Sequence, residues 1–240
     1  MPSLVLAAAL VVHLALVSPW LGRRSYARLE RERDRDGRIL VRMFTAWTAE
    51  LWALAATALL VVGLSPELDL AGVGFVLPAD AETTAGMLVG LTIASAVVVL
   101  VTVRMTRAGR PVPGQAAFRA MLPRTPAERR GAVALSVSAG ICEEIVYRGL
   151  LIALGTSVLG LPLPVAAGLA LAVFVAGHLY QGWRGMAMVA VAGLGLTLLY
   201  LNTGSLLLPI VLHAVADIRS LLLTPAGRRD TLDGIATVRG

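Results

Sequence analysis

Lysine is missing from this chain: all 21 of its basic residues are arginine. We read that as coding bias rather than mechanism. A single cysteine, Cys142, excludes an intramolecular disulfide and any zinc site built on cysteines. There is no Gly-x-Ser-x-Gly elbow and no His-Glu-x-x-His, which excludes an elbow-type serine hydrolase and a thermolysin-type metal site. Charge is scarce, at 15% of 240 residues, against 57% apolar residues and a mean hydropathy of +0.79. That balance excludes an ordinary soluble domain and describes a polytopic membrane protein. The net charge of +6 does not indicate a nucleic-acid partner. The arginines cluster between apolar runs, as positive-inside topology requires.

What is present is a series of apolar runs, at about 4–21, 44–64, 85–103, 131–154, 165–180, 186–201 and 206–223. The first has no basic region before it and no clear small-x-small cleavage site after it, so it is expected to be a retained span rather than a signal peptide. His13 within it is expected to be a packing or interfacial residue. Residues 23–42 alternate arginine and acid (Arg28, Glu30, Arg31, Glu32, Arg33, Asp34, Arg35, Asp36), the pattern of an exposed helix with a solvated or headgroup-bound face. Trp47 and Trp52 suit interface anchors on the second run, which also holds Glu50. Thr125-Pro126-Ala127-Glu128 reads as a helix start.

Arginine placement tests the span count. With the loop after the first span in the cytoplasm, alternate inter-span regions hold eight arginines, seven arginines, Arg184 and the tail's Arg228, Arg229 and Arg239. The opposite loops hold none. The expected fold is therefore all-α: a polytopic membrane helical bundle of about seven transmembrane helices, N-terminus out and C-terminus cytoplasmic. Its expected organisation is an N-terminal membrane region over 1–125, a catalytic membrane domain over 126–225 and a cytoplasmic tail over 226–240. The expected location is a bacterial cytoplasmic membrane, with the lipid bilayer as a partner.

The chemistry concentrates in 139–149, where Glu143, Glu144 and Arg148 interrupt an apolar span. A charge at the bilayer centre costs about 2.5–3.5 kcal/mol on insertion scales, so three in six residues need a use. Glu144 and Arg148, at i and i+4, can neutralise each other; Glu143 points about 100° away and lacks that partner. Later spans add His178, His213, Asp217 and, more weakly, Gln181. His213 and Asp217 share a helical face, so Asp217 is expected to orient a nitrogen of His213. Phe174 lies one turn before His178 and can pack on its ring. At 1.5 Å per residue, Glu143 and His213 come out about 18 and 20 Å from the cytoplasmic edge, and His178 nearer to it by about 10 Å. Two glutamates and two histidines on three spans suit water activation. A glutamate serves as general base, one histidine positions the water or holds a metal, and another polarises a carbonyl. A packing scaffold and a proton-coupled transporter are the competing readings, since buried Glu and His also make proton relays.

In order, the chain reads Glu143-Glu144-Ile-Val-Tyr-Arg148, Phe174-Val-Ala-Gly-His178 and His213-Ala-Val-Ala-Asp217. This ordered set resembles the CPBP family, the type II CAAX prenyl endopeptidases and bacteriocin-processing or Abi proteins, over about 130–223. The resemblance implies an intramembrane endopeptidase acting on a membrane-associated peptide or protein near the cytoplasmic leaflet. It implies that Glu143 activates water with His178, while Glu144 and Arg148 stabilise or orient the site. His213 and residue 217 would bind the oxyanion or, in a metalloprotease version, share a divalent metal such as zinc held by His178 and His213. Asp217 departs from the alternative asparagine of the pattern: an ionised carboxylate cannot donate to an oxyanion. The resemblance also leaves open an immunity protein without catalysis.

Overall fold

In hydrocarbon an apolar backbone satisfies its polar groups only within a helix or a closed barrel, and the apolar runs of this chain fold as helices. The computed structural model describes residues 2–78, 80–108, 110 and 115–222, with no strand among them. The expected tail at 226–240, with Arg228, Arg229 and Arg239, lies outside the described residues.

Helices α1 (Pro2–Val12) and α2 (Ser18–Glu32) are joined by a π-helical turn, His13–Val17, into one rod over Pro2–Glu32. Pro19 cannot donate the N–H of its turn, and the wider turn just before it absorbs that loss. Helix α3 (Ile39–Leu64) begins five residues before the expected 44, because Ile39, Leu40 and Met43 pack with Met121 and Ala132 in an apolar cluster at that end of the bundle. Helix α4 (Ala81–Arg107) leaves Val89, Ile93 and Val97 exposed and approaches the bundle at α8. Helix α5 (Pro126–Glu143) starts where the sequence suggests, with a complete capping box between Thr125 and Glu128. It continues as a π-helical segment, Glu144–Leu151. Then come α6 (Leu163–Gly177), α7 (Gly182–Thr203) and α8 (Leu207–Leu222). Gly204, at φ 63°, supplies the left-handed turn that ends α7.

Among the described residues, four helices are long and apolar enough to cross a membrane: Pro2–Glu32, Ile39–Leu64, Thr84–Met105 and Leu179–Thr203. Helices α6 and α8 have 15 and 16 residues, about 24 Å at most and short of a hydrocarbon core of about 30 Å. The site residues thus sit on short or charge-bearing helices, and the long apolar ones surround them.

Close helix contacts set the site. A Cβ on Gly140 would lie 2.7 Å from the backbone nitrogen of Ala214, so α5 and α8 meet backbone to backbone. Helix α3 packs along α5 through Phe44 against Gly131, and Trp52 Nε1 donates to Ser138 Oγ at 3.0 Å.

The arginine-rich stretch departs in part from an exposed helix. Arg28 and Glu32 form the expected exposed i, i+4 pair at 3.0 Å. Arg33 is instead only 6% exposed. It donates to both carboxylate oxygens of buried Glu128, at 2.7 and 3.0 Å, and to the carbonyls of Ala120 and Leu122. Burial opposes ionisation of Glu128. The Arg33 guanidinium and the backbone N–H groups of Arg124 and Thr125 outweigh it and hold the carboxyl below its ordinary range.

Candidate active site

Glu144, the first residue of the π-helical segment, is fully buried. Its Oε1 accepts from Arg148 Nη1 at 2.9 Å and from His213 Nδ1 at 2.7 Å. The bond to His213 crosses from α5 to α8 at the level where Gly140 lets the two helices touch. Arg148 is as buried as its partner. It donates through Nη2 to the Gly193 carbonyl at 3.0 Å and through Nε to Thr197 Oγ1 at 3.4 Å. Its guanidinium carbon lies 4.3 Å from the Phe174 ring centroid, a cation–π contact. A carboxylate taken out of water needs this company, because an uncompensated buried charge costs several kcal/mol.

With Nδ1 held by Glu144, His213 turns Nε2 toward two other carboxylates. Glu143 Oε2 is 3.6 Å away and Asp217 Oδ2 is 3.8 Å away, both beyond hydrogen-bond range. Glu143 Oε2 is buried with no hydrogen-bond partner among the described residues. The Glu143 side chain is 16% exposed, to a cavity that His178, His213 and Asp217 also line. Sequence reasoning gives the orienting of His213 to Asp217, one turn away. In the structure Glu144 makes that bond, and Asp217 stands at 40% side-chain exposure on the cavity side.

His178 ends α6, and its Nδ1 lies 2.9 Å from the Phe174 carbonyl. With the hydrogen on Nδ1 this is a donated bond, and Nε2 carries the lone pair. Phe174 lies between the two imidazoles, with its centroid 4.8 Å from that of His178 and 6.0 Å from that of His213. Tyr147 packs edge-on against the same ring at 5.2 Å. Gln181 also lines the cavity, and its Nε2 donates to Tyr180 OH at 3.1 Å. The cavity measures about 1160 Å³, at the upper end of ligand-pocket volumes.

A catalytic metal takes about three protein ligands. Among the described residues no three His, Cys, Asp or Glu side chains are grouped to hold one. The Nδ1 atoms of His178 and His213 are held by Phe174 and Glu144, which leaves each Nε2 free for a water or a metal. The remaining groups suit a water between a carboxylate and imidazole nitrogens.

Three supports escaped sequence reasoning. Gly193 and Thr197 on α7 hold Arg148, but a glycine and a threonine in an apolar run carry no chemical signal. Glu50 and His13 also pair, at 3.1 Å. Each stands out as polar in an apolar run, yet 37 residues separate them and nothing in the sequence joins them.

The family model described as type II CAAX prenyl endopeptidase Rce1-like matches residues 126–219. No curated protein and no solved structure matches the chain. The matched span contains Glu143, Glu144, Arg148, Phe174, His178, His213 and Asp217. Residues 126–219 are thus similar to the Rce1-like type II CAAX prenyl endopeptidases.

Proposed function

We propose that this protein is an intramembrane endopeptidase that hydrolyses a peptide bond of a membrane-associated substrate near the cytoplasmic leaflet, without a metal. The observation that carries the reading is Glu143. It is a carboxylate facing an apolar cavity beside an imidazole whose other nitrogen is locked by a buried ion pair. In the proposed step Glu143 accepts a proton from water, and His178 Nε2 positions that water. The water oxygen bonds to the scissile carbonyl carbon, and His213 donates from Nε2 to the oxygen that becomes anionic. Collapse of the tetrahedral species breaks the carbon–nitrogen bond, and the proton on Glu143 passes to the leaving amine. Arg148 neutralises Glu144, so Glu144 holds His213 without adding net charge.

Asp217 is exposed to the cavity 3.8 Å from the same Nε2. Its role here is electrostatic: it favours the protonated imidazole that donates to the oxyanion. A prenylated tail as substrate, the family's namesake, is compatible with the cavity's size and apolar walls. Seven spans and an outside N-terminus, on the strength of the arginine alternation, and a location in a bacterial cytoplasmic membrane complete the reading.

The test is purified protein in nanodiscs with a membrane-anchored fluorogenic peptide that wild type cleaves. Glu143→Gln is expected to lower kcat by a hundredfold or more, as loss of a general base typically does by about 10²–10⁴, with Tm unchanged. A chelator such as EDTA is expected to leave the wild-type rate unaltered. Activity abolished by chelator and restored by zinc would contradict the metal-free mechanism.

A further inference from the structure

The cavity that Glu143 lines has a second polar station. Ser18 and Gly22 of α2 line it, as do Trp47, Glu50 and Leu54 of α3, one face of that helix. Glu50 Oε1 accepts from Ser18 Oγ at 2.7 Å and pairs with His13 Nε2 at 3.1 Å. Both bonds fall on one oxygen, and Oε2 has no hydrogen-bond partner among the described residues. The side chain keeps 28% exposure. Glu128 gives both oxygens to Arg33, and Glu144 is fully buried; Glu50 differs from both in keeping part of its carboxylate exposed to the cavity. Glu50 is held by one oxygen and presents the rest of its carboxylate to the cavity.

Its depth follows from the α3–α5 register. Phe44 packs on Gly131 and Trp52 bonds Ser138, so Glu50 is level with residues 136–137. That is six or seven residues on the cytoplasmic side of Glu143, about 10 Å. An extended peptide covers this distance in about three residues. The sign of the cavity agrees. Its described lining carries the carboxylates of Glu50, Glu143 and Asp217 against the guanidinium of Arg219 and the imidazole of His213, while Arg148 is consumed by Glu144 behind the wall.

We propose that Glu50, oriented by His13 and Ser18, is a specificity subsite that binds a basic side chain of the substrate about three residues from the scissile bond. The subsite rests on the peptidase reading above for the identity of the ligand as a peptide, and its own test reads binding alone. Helices α1 to α3, outside the family match at 126–219, thereby acquire a function in substrate selection.

The test uses the full chain with Glu143→Gln, which binds without turnover, and N-acylated apolar peptides carrying one lysine at successive positions. Each is compared with its glutamine counterpart by microscale thermophoresis. At the preferred position lysine is expected to bind about tenfold more tightly, as a charge-assisted hydrogen bond provides. In Glu143→Gln/Glu50→Gln the preference is expected to vanish, with affinity for the glutamine peptide unchanged. Glutamine at 50 retains the oxygen that His13 and Ser18 bind, and the lysine comparison in the protein with Glu50 intact stands without any variant at that position. Equal affinity for both peptides, or a preference that survives Glu50→Gln, would overturn the subsite. If wild type cleaves both peptides at equal affinity, the peptidase reading stands and the subsite falls. A lysine preference with no cleavage by wild type leaves the subsite and removes the peptidase.

Discussion

At Arg148 four groups hold one guanidinium: Glu144, the Gly193 carbonyl, Thr197 and the face of Phe174. Phe174 and Gly193 also line the cavity, and through Glu144 the four contacts fix the plane of His213. Arg148→Met is therefore expected to be costly twice over. It leaves Glu144 buried and uncompensated, which destabilises by about 3–5 kcal/mol, and it frees the imidazole. Arg148→Met/Glu144→Met is expected to recover part of the lost Tm without recovering peptidase rate, because methionine offers His213 no acceptor and the imidazole stays unanchored. A double mutant that restores both would contradict the positioning role. Glu128, outside the membrane, gives a pH prediction. Its folded pKa lies below the ordinary value, so its contribution to stability is complete above about pH 4.3 and is lost as pH falls through the lower folded value. Glu128→Gln is expected to flatten the fall in Tm on acidification; an unchanged pH profile would show that the Arg33 contact contributes nothing.

Among individual residues, those with an unusual charge for their surroundings were legible in the sequence. The Glu144–Arg148 pair follows from i, i+4 spacing, and the structure has it at 2.9 Å. The same spacing rule gives the orienting of His213 to Asp217, which lies 3.8 Å from Nε2, while the hydrogen bond at Nδ1 goes to Glu144. The competing partner, Glu144, comes from another helix, and helix-to-helix distance is not written in local spacing. Arg33 looked solvated because its neighbours are, but its guanidinium finds Glu128, 95 residues away.

At the scale of elements, glycine decides how near α5 and α8 come. The capping box at Thr125 and the long apolar helices could be read in advance; the Gly140–Ala214 contact could not, since a glycine in a helix has many uses. Gly140→Ala places a Cβ 2.7 Å from backbone and is expected to cost about 1–3 kcal/mol, with a drop in activity as Glu144 and His213 separate. Gly168→Ala in α6 meets nothing within 4 Å and is expected to leave Tm unchanged or raise it by the helix-propensity gain of about 1 kcal/mol. Thermal unfolding of the two variants side by side checks this; equal losses would show that the close approach does not matter. The π-helical turns at His13–Val17 and Glu144–Leu151 were likewise invisible, because an extra residue in a turn leaves periodicity nearly unaltered.

For the whole molecule, the arginine alternation makes a claim that labelling can check. Cys142 is buried, so an impermeant maleimide should report only cysteines introduced elsewhere. Gly37→Cys, in the arginine-rich turn, is expected to react only from the cytoplasmic face, and Leu70→Cys, in the acidic loop, only from the opposite face. Reaction of both from one side would break the proposed topology.

The central claim is that Glu143 cuts peptide bonds, and newly exposed protein termini in living cells test it most directly. Cells with wild-type protein are compared by mass spectrometry with cells carrying equally expressed Glu143→Gln. Termini that vanish with Glu143→Gln and return with wild type are expected, and they would name the substrates. An unchanged set of termini, in cells whose phenotype still depends on the protein, would contradict the claim.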